Sequence, residues 1–323
     1  MSEANGRPAA SSTFIGWVEA GCFVVALAVL NLAYGAGHAA GADPVAFLVY
    51  AMGSAASMLL LITGPGRDWR AVMLHPLSWV VGAGIIGMEA AYFMLLKFVT
   101  PADGSLLIRL NLPFSIIAGW LILGRTQRPL ALLGVGFLVA AVAWYTLGLD
   151  TSNLVMAVIL SVLCALISTV RNFGAEFHPW NRNARTIHEK MRITGLMLLV
   201  TSIAGTSLVA VLMLLTANNL IAPVPGIPTF DRFLHQPTIL LGGFMGMLVL
   251  TAMQYFGFSS VVKIGTESFI AANSFVPLST LVLQYVATGL GLMVVATTDW
   301  RFFPAMVVVI IGVMIFIAAG RRA

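Results

Sequence analysis

Glu89 and Arg109 are ionisable residues that lie inside long apolar stretches of the sequence. Such a side chain in a membrane-spanning helix costs about 2.5–3.5 kcal/mol on insertion scales, so it usually faces the protein interior or a water-filled cavity. With Val99 as the outer end of its helix, Glu89 is ten residues deep. Arg109 is six residues deep from Asp103. On antiparallel helices these depths differ by about 6 Å, which an arginine side chain can span. We therefore predict an ion pair that joins two helices or responds to a substrate or a proton.

Polar and aromatic side chains accompany this pair, and they could bind an amine or an amino acid through hydrogen bonds and ring faces. The predicted substrate-binding set is Glu89, Arg109, Tyr92, Asn111, Asn31, Tyr34, Gln254, Tyr255 and Asn273. Alternatively, the amides hydrogen-bond to a neighbouring helix, and tyrosines near the ends of a stretch belong to the aromatic belt at the membrane surface. Glu19 is expected to lie at the interface or to pair with Lys263, or else to bind a cation or a proton.

Sequence motifs for other chemistry are missing. The sequence contains no Walker-type phosphate loop, no HExxH or CxxC metal motif and no Gly-x-Ser-x-Gly elbow. The five histidines are scattered over loops and helix ends, and the two cysteines, Cys22 and Cys164, lie in apolar runs. We therefore expect no catalytic residues, no metal ligands, no disulfide and no cofactor.

The elements that carry these residues are predicted to be membrane-spanning helices. Hydrophobic residues make up 59% of the chain and charged residues only 9%, whereas soluble domains carry about 25% charged residues. The apolar stretches have the length of about 20 residues that one helical crossing needs, and they lack the alternation of barrel strands. The predicted spans are residues 14–36, 44–63, 77–99, 104–123, 130–149, 154–170, 193–217, 238–262, 268–296 and 302–319.

Basic residues orient these spans. With the N-terminus inside, thirteen of the seventeen lysines and arginines fall in cytoplasmic segments, three fall outside, and Arg109 lies within a span. This asymmetry agrees with the positive-inside rule and predicts that both chain ends are cytoplasmic. The pI near 9.6 does not indicate a nucleic-acid partner, because the basic residues form no continuous stripe.

An internal repeat is visible at a constant shift of 164 residues. The aligned pairs are Asp103 with Glu267, Arg109 with Asn273, and Pro113 with Pro277. Two repeats of five spans must have opposite orientations, as in many secondary transporters that bind substrate between the repeats near the midplane. The predicted fold is an all-α membrane protein of ten transmembrane helices in two inverted five-helix repeats. Its parts are an N-terminal tail (1–13), the first repeat (14–149), the second repeat (150–320) and a C-terminal tail (321–323).

Proline occupies matched positions in the two repeats. Proline lacks a backbone donor and leaves a carbonyl without its partner one turn earlier. Pro113 and Pro277 are therefore predicted to be hinges, with passive kinks as the alternative.

Residues 101–113 (PADGSLLIRLNLP) and 118–124 (AGWLILG) resemble the fourth helix of the drug/metabolite transporter superfamily, in its EamA-type group. Residues 310–318 (IIGVMIFIA) are similar to the last helix of that family. The resemblance implies alternating access between two inverted bundles around a cavity lined mainly by helices 1, 3, 4, 6, 8 and 9. It also implies a location in the bacterial inner membrane.

These observations favour a secondary transporter of small polar metabolites, such as amino acids or amines, over an enzyme. The expected partners are a small-molecule substrate and the lipid bilayer, and a single chain is sufficient. Two alternatives belong to other classes: a membrane-embedded enzyme that acts on lipid, and a membrane sensor or assembly factor that transports nothing. The sequence leaves the substrate, the direction of transport and the coupling ion open.

Overall fold

The structure is a computed structural model that describes residues 10–124, 126–148, 151–224, 226–264, 269, 272–292 and 299–320. All regular structure in these ranges is helical. Glu267 and the predicted C-terminal tail, 321–323, lie outside the described residues, as do residues 1–9 of the predicted N-terminal tail and the predicted repeat boundary at 149 and 150.

Within the described residues, ten helices form the body of the fold. Eight are uninterrupted: α1 (Ala10–Ala39), α2 (Pro44–Thr63), α3 (Pro76–Leu95), α5 (Pro129–Thr146), α6 (Thr151–Phe177), α7 (Ile187–Ala217), α9 (Val276–Gly289) and α10 (Phe302–Gly320). Helix α4 contains Pro101–Leu107, a 3₁₀ turn at Ile108–Leu110, and Asn111–Leu123. Helix α8 contains Gln236–Phe244, a π-helical segment at Met245–Leu250, and Thr251–Ile264. Short helices lie at Trp69–Leu74, Pro179–Asn183 and Phe230–Phe233.

Nine of the helices in the described residues are long and apolar enough to cross a bilayer, so the chain has the form of a multi-pass membrane protein. The predicted span at 268–296 corresponds to α9, whose 14 described residues are fewer than the roughly 20 that a crossing needs. Residues 265–268 and 293–298, on either side of this helix, are not among those described. Helix α1 begins at Ala10, inside the predicted N-terminal tail 1–13.

Residues at the helix starts explain where several helices begin. Proline occupies the first turn of α2, α3, α4, α5 and α9, where its missing N–H costs no helical hydrogen bond. Asp43 caps α2 by accepting hydrogen bonds from the backbone N–H groups of Val45 and Ala46. Thr100 and Asp103 form a capping box at the start of α4. These caps satisfy backbone donors that the first helical turn leaves unpaired.

The helices pack in a set of pairwise contacts that determines where the cavity lies. Helix α3 packs on α6 and α7, α1 on α8 and α9, and α2 on α7 and α8. Helix α4 packs on α6 and α9, and α5 packs on α10. Close approach of α5 and α10 is possible because Gly134 and Gly312 face each other's carbonyl oxygens. Small residues commonly allow such contacts between membrane helices.

Candidate functional site

A central cavity of about 380 Å³ lies among α1, α3, α4, α6, α7 and α8. Its size falls within the usual range for small-molecule sites. Along α3 its lining runs from Val81 to Tyr92, a distance of about 17 Å at 1.5 Å per residue. Helix α7 contributes to the lining, although the family resemblance implied mainly helices 1, 3, 4, 6, 8 and 9. The ninth-helix region contributes Asn273, which precedes α9.

Most of the predicted binding residues line this cavity. They are Asn31, Glu89, Tyr92, Arg109, Asn111, Gln254 and Asn273. The other two lie outside the lining. Tyr34 is fully buried behind Glu89, and Tyr255 lies on α8 with 43% of its surface exposed.

Glu89 and Arg109 do not form the predicted ion pair. The Glu89 carboxylate accepts a hydrogen bond from the Tyr34 hydroxyl at 2.7 Å, and it is 7% exposed. Among the described residues, the salt bridge joins Lys263 to Glu19 and involves neither Glu89 nor Arg109. The prediction was wrong because it treated both helices as straight, whereas Arg109 lies in the 3₁₀ turn of α4.

Arg109 instead binds two backbone carbonyls. Its Nε donates to the carbonyl of Ser105 at 3.1 Å, and its Nη1 donates to the carbonyl of Asn273 at 3.0 Å. In a continuous helix the Asn273 carbonyl would accept from the N–H of residue 277, but that residue is Pro277 and has no N–H. Arg109 thus donates to a carbonyl that Pro277 leaves without a backbone donor. This hydrogen bond links α4 to the segment before α9.

The two matched prolines therefore lie just after irregular backbone. Pro113 follows the 3₁₀ turn at Ile108–Leu110, and Pro277 lies in the first turn of α9. In an α-helix the Arg109 carbonyl would accept from the N–H of residue 113, but Pro113 has none. Pro277 removes the donor of the Asn273 carbonyl in the same way. Whether these breaks act as hinges remains a prediction.

A second guanidinium lines the cavity. Arg171 donates from Nε and Nη2 to the Asn172 side-chain oxygen at 3.3 and 3.1 Å, and it interacts electrostatically with Glu89. The sequence places Arg171 at the cytoplasmic end of the sixth span, as an ordinary interfacial cation or a gate, because that span was predicted to end at residue 170. The structure places it in the cavity lining, since α6 continues to Phe177.

One predicted ion pair is confirmed. Lys263 Nζ lies 2.5 Å from Glu19 Oε1, and the Ser259 hydroxyl donates to Glu19 Oε2 at 2.7 Å. This group joins α1 to α8 close to the cavity, because Phe23, one turn along α1 from Glu19, belongs to the cavity lining. The pair therefore holds two lining helices together.

Two histidines meet at the end of the cavity where α6 connects to α7. The ring centres of His75 and His178 are 5.1 Å apart. His178 Nε2 lies 2.8 Å from the Ser78 hydroxyl, and its Nδ1 accepts a hydrogen bond from the backbone N–H of Asn181. Burial, with a smaller contribution from His75, lowers the pKa of His178 to about 4. No sequence signal indicates this cluster, because 103 residues separate the two histidines.

Comparison with known proteins bears on the fold only. No family model matches the chain, and no curated protein matches it. A solved structure whose title reads "Crystal structure of protein" is similar, with a TM-score of 0.57 and 18% sequence identity. The similarity covers 98% of this chain and 100% of that one. The chain therefore shares its overall helical arrangement with a solved protein of distant sequence.

Proposed function

We propose that this protein is a secondary transporter of small polar metabolites that works by alternating access. The observation that carries the proposal is the cavity of about 380 Å³, which holds Glu89 and Arg109 inside the helical bundle. Charged groups at this depth usually belong to pathways for substrates, ions or protons. The resemblance of residues 101–124 to the EamA-type group supports the same interpretation.

The proposal includes ten spans in two inverted repeats, with α9 and the residues beside it as the ninth span. Helix contacts support this arrangement, because they occur in pairs related by a shift of five helices. The pair α1–α8 corresponds to α3–α6, α1–α9 to α4–α6, and α2–α8 to α3–α7. The same shift exchanges the two members of each remaining pair, so these contacts are their own equivalents: α2–α7, α4–α9 and α5–α10.

Two glycines that are 164 residues apart support the same relationship. Gly82 on α3 approaches the carbonyl of Met197 on α7, and Gly246 on α8 approaches the carbonyl of Ala51 on α2. In both places an added Cβ would lie less than 3.0 Å from the carbonyl oxygen. Glycine at equivalent helix crossings is what a duplicated packing interface requires.

On this proposal the described conformation faces the cytoplasm. The cavity lining includes Asn181, in the connection between α6 and α7, which the distribution of basic residues assigns to the cytoplasm. Beyond the opposite end, Tyr34, Phe47 and Phe93 are fully buried and pack with ring centres 5.2–5.4 Å apart. Transport to the outside would require these rings to separate while the cytoplasmic end closes. The bacterial inner membrane and cytoplasmic chain ends are part of the same proposal.

The test is solute flux in proteoliposomes. Metabolites that raise the melting temperature of the purified protein would first be selected, and their uptake would then be measured with and without a pH gradient. We expect saturable flux that falls at least tenfold in Glu89→Gln and loses its response to the gradient. Glu176→Gln, which changes an exposed residue outside the lining, is the matched control. Absence of flux for every stabilising solute would reject transport and favour a sensor or a lipid-acting enzyme.

A further inference from the structure

The charged groups in the cavity lining are unequal in number. Arg109 and Arg171 contribute two guanidinium groups, and Glu89 contributes one carboxylate. Arginine stays charged in proteins, so with Glu89 ionised the lining carries one excess positive charge. If Glu89 takes up a proton, the excess becomes two. In either state the cavity is suited to an anion.

Among the described residues, Arg109 has no carboxylate partner that would compensate its charge. Among the described residues, its hydrogen-bond partners are the two backbone carbonyls of Ser105 and Asn273, and no carboxylate lies within salt-bridge distance of it. Carbonyl oxygens orient a guanidinium but do not neutralise it. A guanidinium has five N–H donors in a planar fork, so the two bonds leave three donors with no partner among the described residues, and these can bind a ligand.

The two carbonyl bonds also hold Arg109 in place. One acceptor lies one turn earlier on α4 and the other lies before α9, so the side chain is anchored from two helical segments. A guanidinium that is oriented in advance can bind both oxygens of a carboxylate with less loss of conformational freedom. Arg171 is bound by Asn172 and lies near Glu89, so part of its charge is already balanced.

Apolar residues make up more than half of the rest of the lining, beside amides such as Asn31, Asn111 and Gln254. Leu27, Ile85, Met88, Met253 and Phe269 belong to the apolar part, and methionines adapt to varied apolar shapes. A ligand that satisfies both parts of the cavity has an anionic end and an apolar body.

Resting on the proposed transport function, we infer that the cavity selects monocarboxylates with an apolar body, and that Arg109 binds the carboxylate. This narrows the range of expected solutes, because an amine of the same shape would place its positive charge beside two guanidinium groups. The apolar body lies against the leucine, isoleucine and methionine side chains, and the carboxylate lies where α4 meets the segment before α9.

The test compares three probes that share a phenyl body and differ at one end: 3-phenylpropanoate, 3-phenylpropan-1-ol and phenethylamine. Binding to the full chain in detergent is measured by calorimetry. We expect the carboxylate to bind at least about tenfold more tightly than the alcohol, as for a charge-assisted hydrogen bond, and the amine to bind most weakly. Equal or tighter binding of the amine, or no binding of the carboxylate, would overturn the inference. This comparison needs no variant that could misfold.

Variants then identify the residue. Arg109→Gln should remove the preference for the carboxylate over the alcohol, and Arg109→Lys should retain part of it because the charge remains. Arg70→Gln is the matched control, since Arg70 lies over the Trp69 ring and outside the lining. An unchanged preference in a folded Arg109→Gln protein, verified by circular dichroism and gel filtration, would reject the assignment to Arg109.

Flux measurements separate this inference from the transport proposal. Carboxylate binding without flux would support the anion site and reject transport. Flux of the amine with no carboxylate binding would support transport and reject the anion site.

Discussion

Arg109 donates a hydrogen bond to the backbone carbonyl of Asn273, the residue 164 positions further along the chain. These are two positions that the internal alignment pairs with each other. If the halves are related by an inverted repeat, equivalent positions that touch must lie close to the axis between them. A substrate site near such an axis is the arrangement found in many secondary transporters.

Replacement of Pro277 tests this hydrogen bond from the carbonyl side. Pro277→Ala supplies an N–H that can bond to the Asn273 carbonyl and compete with Arg109. We expect solute flux to fall about 2- to 10-fold, the effect of one lost hydrogen bond, while the melting temperature stays the same or rises. Pro129→Ala, in the first turn of α5 and away from the cavity, should leave flux unchanged. Normal flux in Pro277→Ala would mean that the free carbonyl is not required.

The contact between α5 and α10 can be tested with glycine substitutions. A Cβ at Gly134 would lie less than 3.0 Å from the Gly312 carbonyl oxygen, and the reverse holds for Gly312. Since the obstacle is backbone, Gly134→Ala and Gly312→Ala should each destabilise the protein by about 1–3 kcal/mol. Gly136→Ala, on the same helix with nothing within 4 Å of the added Cβ, should be neutral or stabilising. Thermal unfolding in detergent measures all three, and equal effects at Gly134 and Gly136 would contradict the packing.

Hydropathy predicted the spans well where a helix is apolar to both ends. The second span was predicted at 44–63 and is observed at Pro44–Thr63. Helix α7 begins at Ile187, six residues before the predicted 193, because its first turns are polar. The capping box of Thr186 and Glu189 is a sequence signature of a helix start, and it could have located this end.

The sequence predicted which residues enter the cavity better than it predicted their partners. Polar residue types inside apolar stretches identify Glu89 and Arg109, because lipid tolerates few such groups. Their partners depend on local backbone geometry. The 3₁₀ turn redirects Arg109, and Tyr34, 55 residues from Glu89, meets it only through helix packing. Spacing along the chain carries no information of that kind.

The ion pair between Glu19 and Lys263 provides a stability test. Removing one partner leaves the other charge partly buried, and fully buried pairs lose about 3–5 kcal/mol in this way. Since the two side chains are 11% and 24% exposed, Lys263→Met should destabilise the protein by less, up to about 3 kcal/mol. The double variant Glu19→Gln with Lys263→Met should recover part of that loss. Thermal unfolding of both single variants and the double variant gives the coupling energy between the two residues. If the double variant loses as much stability as the two single variants together, the pair is not stabilising.

His178 predicts a specific loss of stability in acid. Its pKa lies at about 4 in the folded protein, below the ordinary value of 6.5, because burial and the neighbouring His75 disfavour the imidazolium. The unfolded chain therefore takes up a proton at this residue before the folded chain does. The contribution of His178 to stability is complete above pH 6.5 and declines as the pH falls towards 4.

His178→Asn should reduce this pH dependence. The asparagine side-chain oxygen can accept the N–H of Asn181, as His178 Nδ1 does, so the cap of Pro179–Asn183 is kept while the titrating group is removed. We expect the melting temperature to fall less between pH 7 and pH 5 in this variant than in the wild type. His188→Asn changes an exposed histidine and should behave as the wild type does. If His178→Asn shows the full wild-type decline, the acid sensitivity arises elsewhere in the protein.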